Sequence, residues 1–240
     1  MIEPGSRIVI GDSHIGLGDG AERRIVEWLD RVKSHRPVAL YLNGDVFNYF
    51  IGDEKFRTRS VQGFMEKLRE LREEGIEIHY VEGNRDFFVE GSFAEDYVSN
   101  VCTRVSFEEA GRRYFVIHGD MINDKDWPYR FWRHFSKNPV MKLAVKLWPK
   151  KAANRLVDRV EKKLRTKNFK HKQRLPVELM EAYGRKRAAE GYDVVVFGHF
   201  HHKLEIDAGQ TRVAVLPAWY ETEEAIVVSP TTGAYEFVKI

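Results

Sequence analysis

Five short segments of the chain carry residue types that bind metal ions, and none of them carries sulfur. They are Asp12-Ser13-His14, Gly44-Asp45, Gly83-Asn84, His118 and Gly198-His199-Phe200-His201. Carboxylate, amide and imidazole donors in this mixture suit Mn²⁺, Mg²⁺, Fe²⁺ or Zn²⁺ with coordination positions left open. Asp12, His14, Asp45, Asn84, His118, His199 and His201 make seven candidate ligands. That exceeds what one catalytic ion takes and suits two ions sharing a carboxylate, spaced roughly 3.5–4 Å apart and activating a water for in-line attack on phosphorus. In Asp-x-His and His-x-His, residues two apart project the same way from an extended backbone. Both members of such a pair can then reach one site, and the assignment expected is Asp12, His14 and His201 at one ion and Asn84, His118 and His199 at the other, with Asp45 bridging. Taken singly, each histidine reads as a surface or core residue, and each Gly-Asp or Gly-Asn as a turn. Four of the nine histidines fall in these segments, which makes them one set.

The elements that must position this set follow from periodicity. Arg7–Ile10 and Val38–Leu42 read as short buried strands, with Ile25, Val26, Leu29 and Val32 at helical spacing between them. Ser60 is placed to cap a second helix, with Val61, Phe64, Leu68 and Leu71 on its buried face and Gly75 at its end. A third strand, Ile76–Val81, leads into Gly83-Asn84. Alternating strands and helices predict an α/β fold with parallel pairing, in which carboxyl ends of strands line the binding crevice. Further on, Val101–Phe107 and Tyr114–Ile117 read as strands paired around Gly111. Asn138-Pro139 opens a helix, Val140–Trp148, and a basic helix is expected over about Ala152–Lys167. A helix around Val177–Ala189 returns the chain to a strand at Val194–Phe197, and antiparallel hairpins are expected from Lys203 to Ile240.

Composition narrows the class. With 240 residues, 43% hydrophobic and 31% charged, the chain suits one large domain with a modest insertion and is not disordered. No apolar run approaches the roughly 18 residues of a membrane span. Met1–Ser6 lacks the basic and apolar regions of a signal peptide, so a cytoplasmic location is expected. The lone Cys102 excludes an internal disulfide framework. Charge is unevenly spread: between Pro128 and Leu175, 16 Lys or Arg face only Asp158 and Glu161, a surplus of 14. Against the net charge of +3, the remainder then carries −11, so an acidic body holds a basic insert that points to an anionic partner.

The order of the five segments resembles the calcineurin-like metallophosphoesterases, dinuclear phosphate-ester hydrolases, from Asp12 to His201. The resemblance implies a four-layer αββα sandwich, a single domain over 1–240, with a helical lid inserted at about 128–175. Two positions depart from the general pattern: Asn48 stands where a further Asp is usual, and Arg85 where a His is thought to protonate the leaving group. A guanidinium keeps its proton but grips phosphate oxygens bidentately. A phosphate leaving group needs a general acid less than an alkoxide does, so Arg85 favours pyrophosphate cleavage. Gly83-Asn84-Arg85-Asp86-Phe87, Ile51-Gly52-Asp53 and His118-Gly119-Asp120 with Asp124, Asp126 and Tyr129 resemble, more narrowly, the UDP-2,3-diacylglucosamine pyrophosphohydrolases of lipid A synthesis. That resemblance implies Mn²⁺, a UDP-linked glycolipid substrate, and catalytic roles for Asn84, Arg85 and His199. It also implies substrate contacts from Asn84, Arg85, Asp126 and His199, and attachment at the inner face of the inner membrane.

The insert fits such a role physically. Phe131, Trp132, Phe135, Met141, Leu143, Leu147 and Trp148 are bordered by Arg130, Arg133, Lys142, Lys146 and Lys150, a surface for acyl chains or anionic lipid. Lys163–Lys170 departs from the narrower family's lid, and His202-Lys203 from its Arg-Pro after His201, so no substrate contact is carried over there. A phosphodiesterase for a soluble substrate, a nuclease and a non-catalytic metal-bound scaffold remain as alternatives. Nucleic acid is not expected, because the aromatics cluster in an apolar helix instead of interleaving with the basic residues. No obligate protein partner is inferred.

Overall fold

In chain order the strands and helices are β1 (Arg7–Ile10), α1 (Ala21–Ser34), β2 (Ala39–Asn43), β3 (Phe50–Ile51), α2 (Arg59–Glu73), β4 (Glu77–Val81), β5 (Asp86–Phe87), β6 (Asn100–Cys102), β7 (Arg104–Glu109) and β8 (Arg112–Ile117). They continue with α3 (Trp127–Ser136), α4 (Pro139–Leu147), α5 (Val177–Ala188), β9 (Val194–Phe197), β10 (Leu204–Asp207), β11 (Arg212–Val215), α6 (Trp219–Thr222), β12 (Glu224–Val228) and β13 (Tyr235–Lys239). The computed structural model describes residues 2–17, 20–149 and 175–240.

One sheet has the order β13-β12-β1-β2-β4-β6, and a second has β10-β11-β9-β8-β7; β3 and β5 form a small separate pair. In the first sheet β1, β2, β4 and β6 run parallel, and in the second β8, β9 and β11 do. The antiparallel pairings β10–β11 and β12–β13 are the hairpins expected near the C-terminus.

The period-two alternation of buried strands explains the layering. Ile8, Ile10, Leu40 and Leu42 pack with Ile25, Trp28 and Leu29 of α1 and Phe64 and Leu68 of α2. The opposite faces of the same strands, Val9 and Tyr41, pack against Tyr114, Val116, Val194, Val196 and Ala214 of the second sheet. Phe115, Val195, Phe197 and Val213 then turn outward to Met180 of α5. Three apolar cores separate four layers, so the αββα sandwich is observed. Both faces of each central strand are buried, which is why these strands read as unbroken apolar runs.

Two expectations change. The cap of α2 is Thr58, not Ser60: Thr58 has extended backbone and its hydroxyl accepts from Val61 N at 3.2 Å, the usual reach from a cap to the third helical residue. The run Val101–Phe107 is not one strand. It divides at Thr103 into β6, paired with β4, and β7, paired with β8, so the chain passes there from one sheet to the other. Within the expected lid, Asn138 caps α4 as anticipated, its side chain accepting from Met141 N at 2.8 Å. An additional helix, α3, precedes it. The helix expected over 152–167 lies outside the described residues. Among the described residues no helix is long and apolar enough to cross a membrane.

Candidate metal centre

Asp12, Asp45, Asn84, His118 and His199 each follow the carboxyl end of a strand: β1, β2, β4, β8 and β9. The loops after these strands are bonded to one another. Asp12 N donates to Gly44 O at 3.1 Å, His14 N to Asp45 O at 3.1 Å, and Gly198 N to His118 O at 3.0 Å. The two sheets thus deliver their loops to one place.

The local backbone differs from the extended form expected for Asp-x-His and His-x-His. Asp12, His14, Asp45, His199 and His201 all have positive φ, between 43° and 64°. Such conformations cost an L-residue energy and gather at functional sites. The left-handed turns send His199 and His201 to different neighbours. His201 Nε2 lies 2.9 Å from Asp12 Oδ1 and 3.2 Å from His14 Nε2, while His199 Nδ1 lies 2.8 Å from Asn84 Oδ1. Neighbouring glycines make room: a Cβ on Gly44 would sit 2.3 Å from His118 Nδ1, and one on Gly83 would sit 2.4 Å from Asp45 Oδ1.

All seven candidate ligands are brought together. The donor atoms of Asp12, His14 and His201 lie within 4.8 Å of one another, as do those of Asp12, Asp45 and His118. Asn84 Oδ1 joins the second group, 3.2 Å from His118 Nε2. Asp12 belongs to both triads, and Asp45 Oδ1 stands 3.5 Å from His118 Nε2.

The donor chemistry fits divalent cations. The Asn43 carbonyl, 2.9 Å from His118 Nδ1, can only accept, so Nδ1 carries the proton and Nε2 presents a lone pair. That lone pair faces two further acceptors, Asn84 Oδ1 at 3.2 Å and Asp45 Oδ1 at 3.5 Å, and a shared cation satisfies all three. His14 Nε2 and His201 Nε2 face each other beside Asp12 in the same way.

Burial and neighbouring charge act on these groups in opposite directions. Asp12 is fully buried, which alone would raise its pKa, yet His201 and His14 hold it well below the usual carboxylate range. Burial would lower His118, but Asp45, Asp12 and Asp120 outweigh it and hold its pKa up. His199 is pushed down to about 4 by its low-dielectric surroundings and by His118.

Arg85 is buried against the second group. Its N–H donates to Asp45 Oδ1 at 2.8 Å, its Nε lies 3.4 Å from Asp45 Oδ2, and its Nη1 donates to Asn48 Oδ1 at 2.7 Å. The departure at Asn48 thus meets the departure at Arg85. Asp126 stands apart from the cluster: it is exposed and caps α3, accepting from Tyr129 N at 3.1 Å. Two residues of the site lacked a signal in the sequence. Tyr220 of α6 sets its ring edge-on to His14 and His201, with centroids 5.4 and 6.0 Å away, beyond the last recognisable segment. Asn43 acts through its backbone carbonyl, which no side-chain pattern reports.

Residues 6–203 match the calcineurin-like phosphoesterase family. A UDP-2,3-diacylglucosamine hydrolase of Pseudomonas entomophila (strain L48) is 30% identical, covering 82% of this chain and 83% of the relative. One of Pectobacterium carotovorum subsp. carotovorum (strain PC1) is 26% identical, covering 93% and 95%. Among solved structures, a hypothetical protein from Pyrococcus horikoshii OT3 superposes with a TM-score of 0.52 at 10% identity, covering 98% of this chain and 87% of that one, a likeness of fold alone. The chain therefore belongs to the calcineurin-like phosphoesterase family and is a metal-dependent hydrolase of phosphodiester or pyrophosphate bonds.

Proposed function

We propose that the protein hydrolyses the pyrophosphate of UDP-2,3-diacylglucosamine to UMP and 2,3-diacylglucosamine 1-phosphate, a step of lipid A synthesis, with two divalent ions, Mn²⁺ by preference. The observation that carries this reading is the convergence of seven donors from five strand-end loops. The sequence likeness to hydrolases named for that substrate supports it. Asp12, His14 and His201 would hold one ion, and Asn84, His118 and His199 the other, with Asp45 between them. Bound there, the ions supply Lewis acidity and a water that deprotonates near neutral pH.

The remaining work falls to the chain's own residues. Arg85, held by Asn48 and Asp45, presents a fixed cation to the phosphate oxygens and stabilises charge that develops on them. It surrenders no proton, which a departing phosphate does not require. Asn84 and His199 complete the binding of the reacting phosphate, and Asp126 reaches the substrate from the rim.

The α3–α4 pair serves as the lid, the described part of an insertion over about 128–175. Trp127, Phe131, Val140 and Leu147 are each more than 70% exposed, so the pair offers an apolar face to acyl chains and to the anionic inner surface of the membrane. The cationic border is smaller than composition implied, because Arg133 turns to Asp120 and Lys142 to Glu90 O. The test is incubation of the purified protein with UDP-2,3-diacylglucosamine and Mn²⁺. Release of UMP and the lipid monophosphate is the expected result. Equal or faster turnover of bis(p-nitrophenyl) phosphate would instead favour a soluble phosphodiester substrate.

A further inference from the structure

The α3–α4 pair is attached to the protein without an apolar core of its own: Ser136 is its one buried side chain among the described residues. Polar contacts hold it, and two of them land on loops that carry candidate ligands. Lys137 Nζ donates to Gly83 O at 2.9 Å and pairs with Glu82 at 3.5 Å; the Gly83 carbonyl belongs to the peptide that leads into Asn84. Arg133 Nε and the Tyr129 hydroxyl both donate to Asp120 Oδ2, at 2.9 and 2.7 Å, two residues beyond His118. These ion pairs are nearly closed to solvent, with side chains 5–14% exposed, so removing one partner strands the charge of the other. Both footholds therefore bear on the donors Asn84 and His118, which face each other at 3.2 Å. The hydrogen bonds of Asp12 and His14 run to His199, His201, Leu17, Tyr220 and the loop after β2, none of them to α3 or α4. Farther along, Lys142 Nζ donates to Glu90 O at 2.8 Å. Lys55 Nζ donates to the Val145, Lys146 and Trp148 carbonyls at 2.6, 2.7 and 3.0 Å, fixing the end of α4.

We propose that Arg133 and Lys137 are positioning residues that tie the seating of the α3–α4 pair to the geometry of Asn84 and His118. The proposal rests on the two-ion reading above. Coupling of this kind is reciprocal. A seated helix pair raises the affinity for the ion held by Asn84, His118 and His199, and that ion in turn holds the pair seated. Closing over a substrate and completing the site then become a single event.

The test combines Mn²⁺ titration, followed by electron paramagnetic resonance, with hydrogen exchange of residues 127–147 on the full chain. Wild type is compared with Lys137→Met, Arg133→Gln and the conservative Lys137→Arg. In Lys137→Met and Arg133→Gln, one of the two ion affinities should fall by about tenfold, as when a partner behind a ligand is lost, while the other holds. Lys137→Arg, which keeps a donor for Gly83 O, should recover most of the loss. In wild type, Mn²⁺ should slow exchange across 127–147, and this slowing should vanish in the two disrupting variants. Absence of any slowing in wild type would overturn the coupling without recourse to a variant. So would unchanged affinities at both ions, or an equal fall at both. Wild-type protein that takes up fewer than two ions would refute the two-ion reading itself, a result distinguishable from the others.

Discussion

Asp86 offers a decisive perturbation because it touches the site only from behind. Fully buried, it accepts from the Gly83 N–H at 2.8 Å, the Asp45 N–H at 2.9 Å and the Tyr80 hydroxyl at 3.0 Å. Its two backbone donors belong to the turns that aim Asn84 and Asp45. In Asp86→Ala both N–H groups lose their acceptor in a buried setting. At about 1–3 kcal/mol for each stranded donor, the loss is about 2–6 kcal/mol, a large share of the roughly 5–15 kcal/mol that keeps a domain folded. In Asp86→Asn the amide oxygen still accepts both N–H groups, and the Tyr80 hydroxyl turns to accept from the NH₂, so the cost is small.

The charge adds a second signature. Burial first, and then Asp45, raises the Asp86 pKa to about 7, from 3.8 in an unperturbed carboxyl. A carboxyl whose folded pKa is raised contributes stability that is complete below its unfolded pKa and lost as pH climbs through about 7. One proton accounts for about 1.4 kcal/mol per pH unit inside that window. The assay is urea unfolding of chelator-treated protein at about pH 5 and about pH 7, on either side of most of that change. The wild-type curve should weaken with rising pH by more than that of Asp86→Asn. Asp86→Ala should be the least stable of the three at both pH values. An Asp86→Ala protein as stable as Asp86→Asn would refute the hydrogen-bond reasoning, and an undiminished pH slope in Asp86→Asn would refute the electrostatic part.

The other expectations are simpler. His118→Ala removes a donor from the second group and should abolish turnover while circular dichroism shows an intact fold; retained UMP release would exclude His118 from the machinery. Gly44→Ala adds a Cβ 2.3 Å from His118 Nδ1 at a φ of 78°, and should lower stability by about 1 kcal/mol or more and weaken Mn²⁺ uptake, read by thermal melting and metal titration. Trp148→Ala, on the exposed face beside α4, should raise KM for the acylated substrate and leave turnover of bis(p-nitrophenyl) phosphate unchanged. An unaltered KM would remove the lid's apolar face from substrate binding.

The sandwich was legible because its strands are buried on both faces and its helices carry clean apolar stripes. Arg7–Ile10 and Val194–Phe197 were placed to the residue by that pattern alone. The donors were legible because each follows such a strand beside a glycine or at a His-x-His. Other features were not, for identifiable reasons. A strand that changes sheets at Thr103 without a turn residue leaves no break in an apolar run. Thr58 and Ser60 are equally good caps by composition, and only backbone geometry separates them. Helix α3 begins at Trp127-Pro128 behind Asp126, whose capping role its sequence neighbours do not single out, while its exposed Phe131, Trp132 and Phe135 were read as surface. Left-handed turns, not pleat, direct the two histidines of His-x-His to separate groups.

Those turns bear on how the site handles cations. Five of the seven donors hold positive φ, at a cost of order 1–2 kcal/mol each, and together that approaches the net stability of a domain. Glycine would remove the strain but would also remove the ligand. The strain is held by pairing between loops: Asp12 N to Gly44 O, His14 N to Asp45 O, and Trp219 N to Gly11 O. Gly44 and Gly83 leave no space into which the Asp45 and His118 turns could relax. Asp12, Asp45 and Asp86 are consequently fixed in a buried cluster whose like charges cannot move apart. Burial first, and then the fixed charge of Asp45, raises the pKa of Asp86, while Asp45, Asp12 and Asp120 hold that of His118 up against its burial. Arg85, pinned by Asn48 and Asp45, belongs to the same frame. In the proposed reaction an entering phosphate would meet the Arg85 guanidinium already in position, which is what lets electrostatic stabilisation act without reorganisation at the moment of reaction.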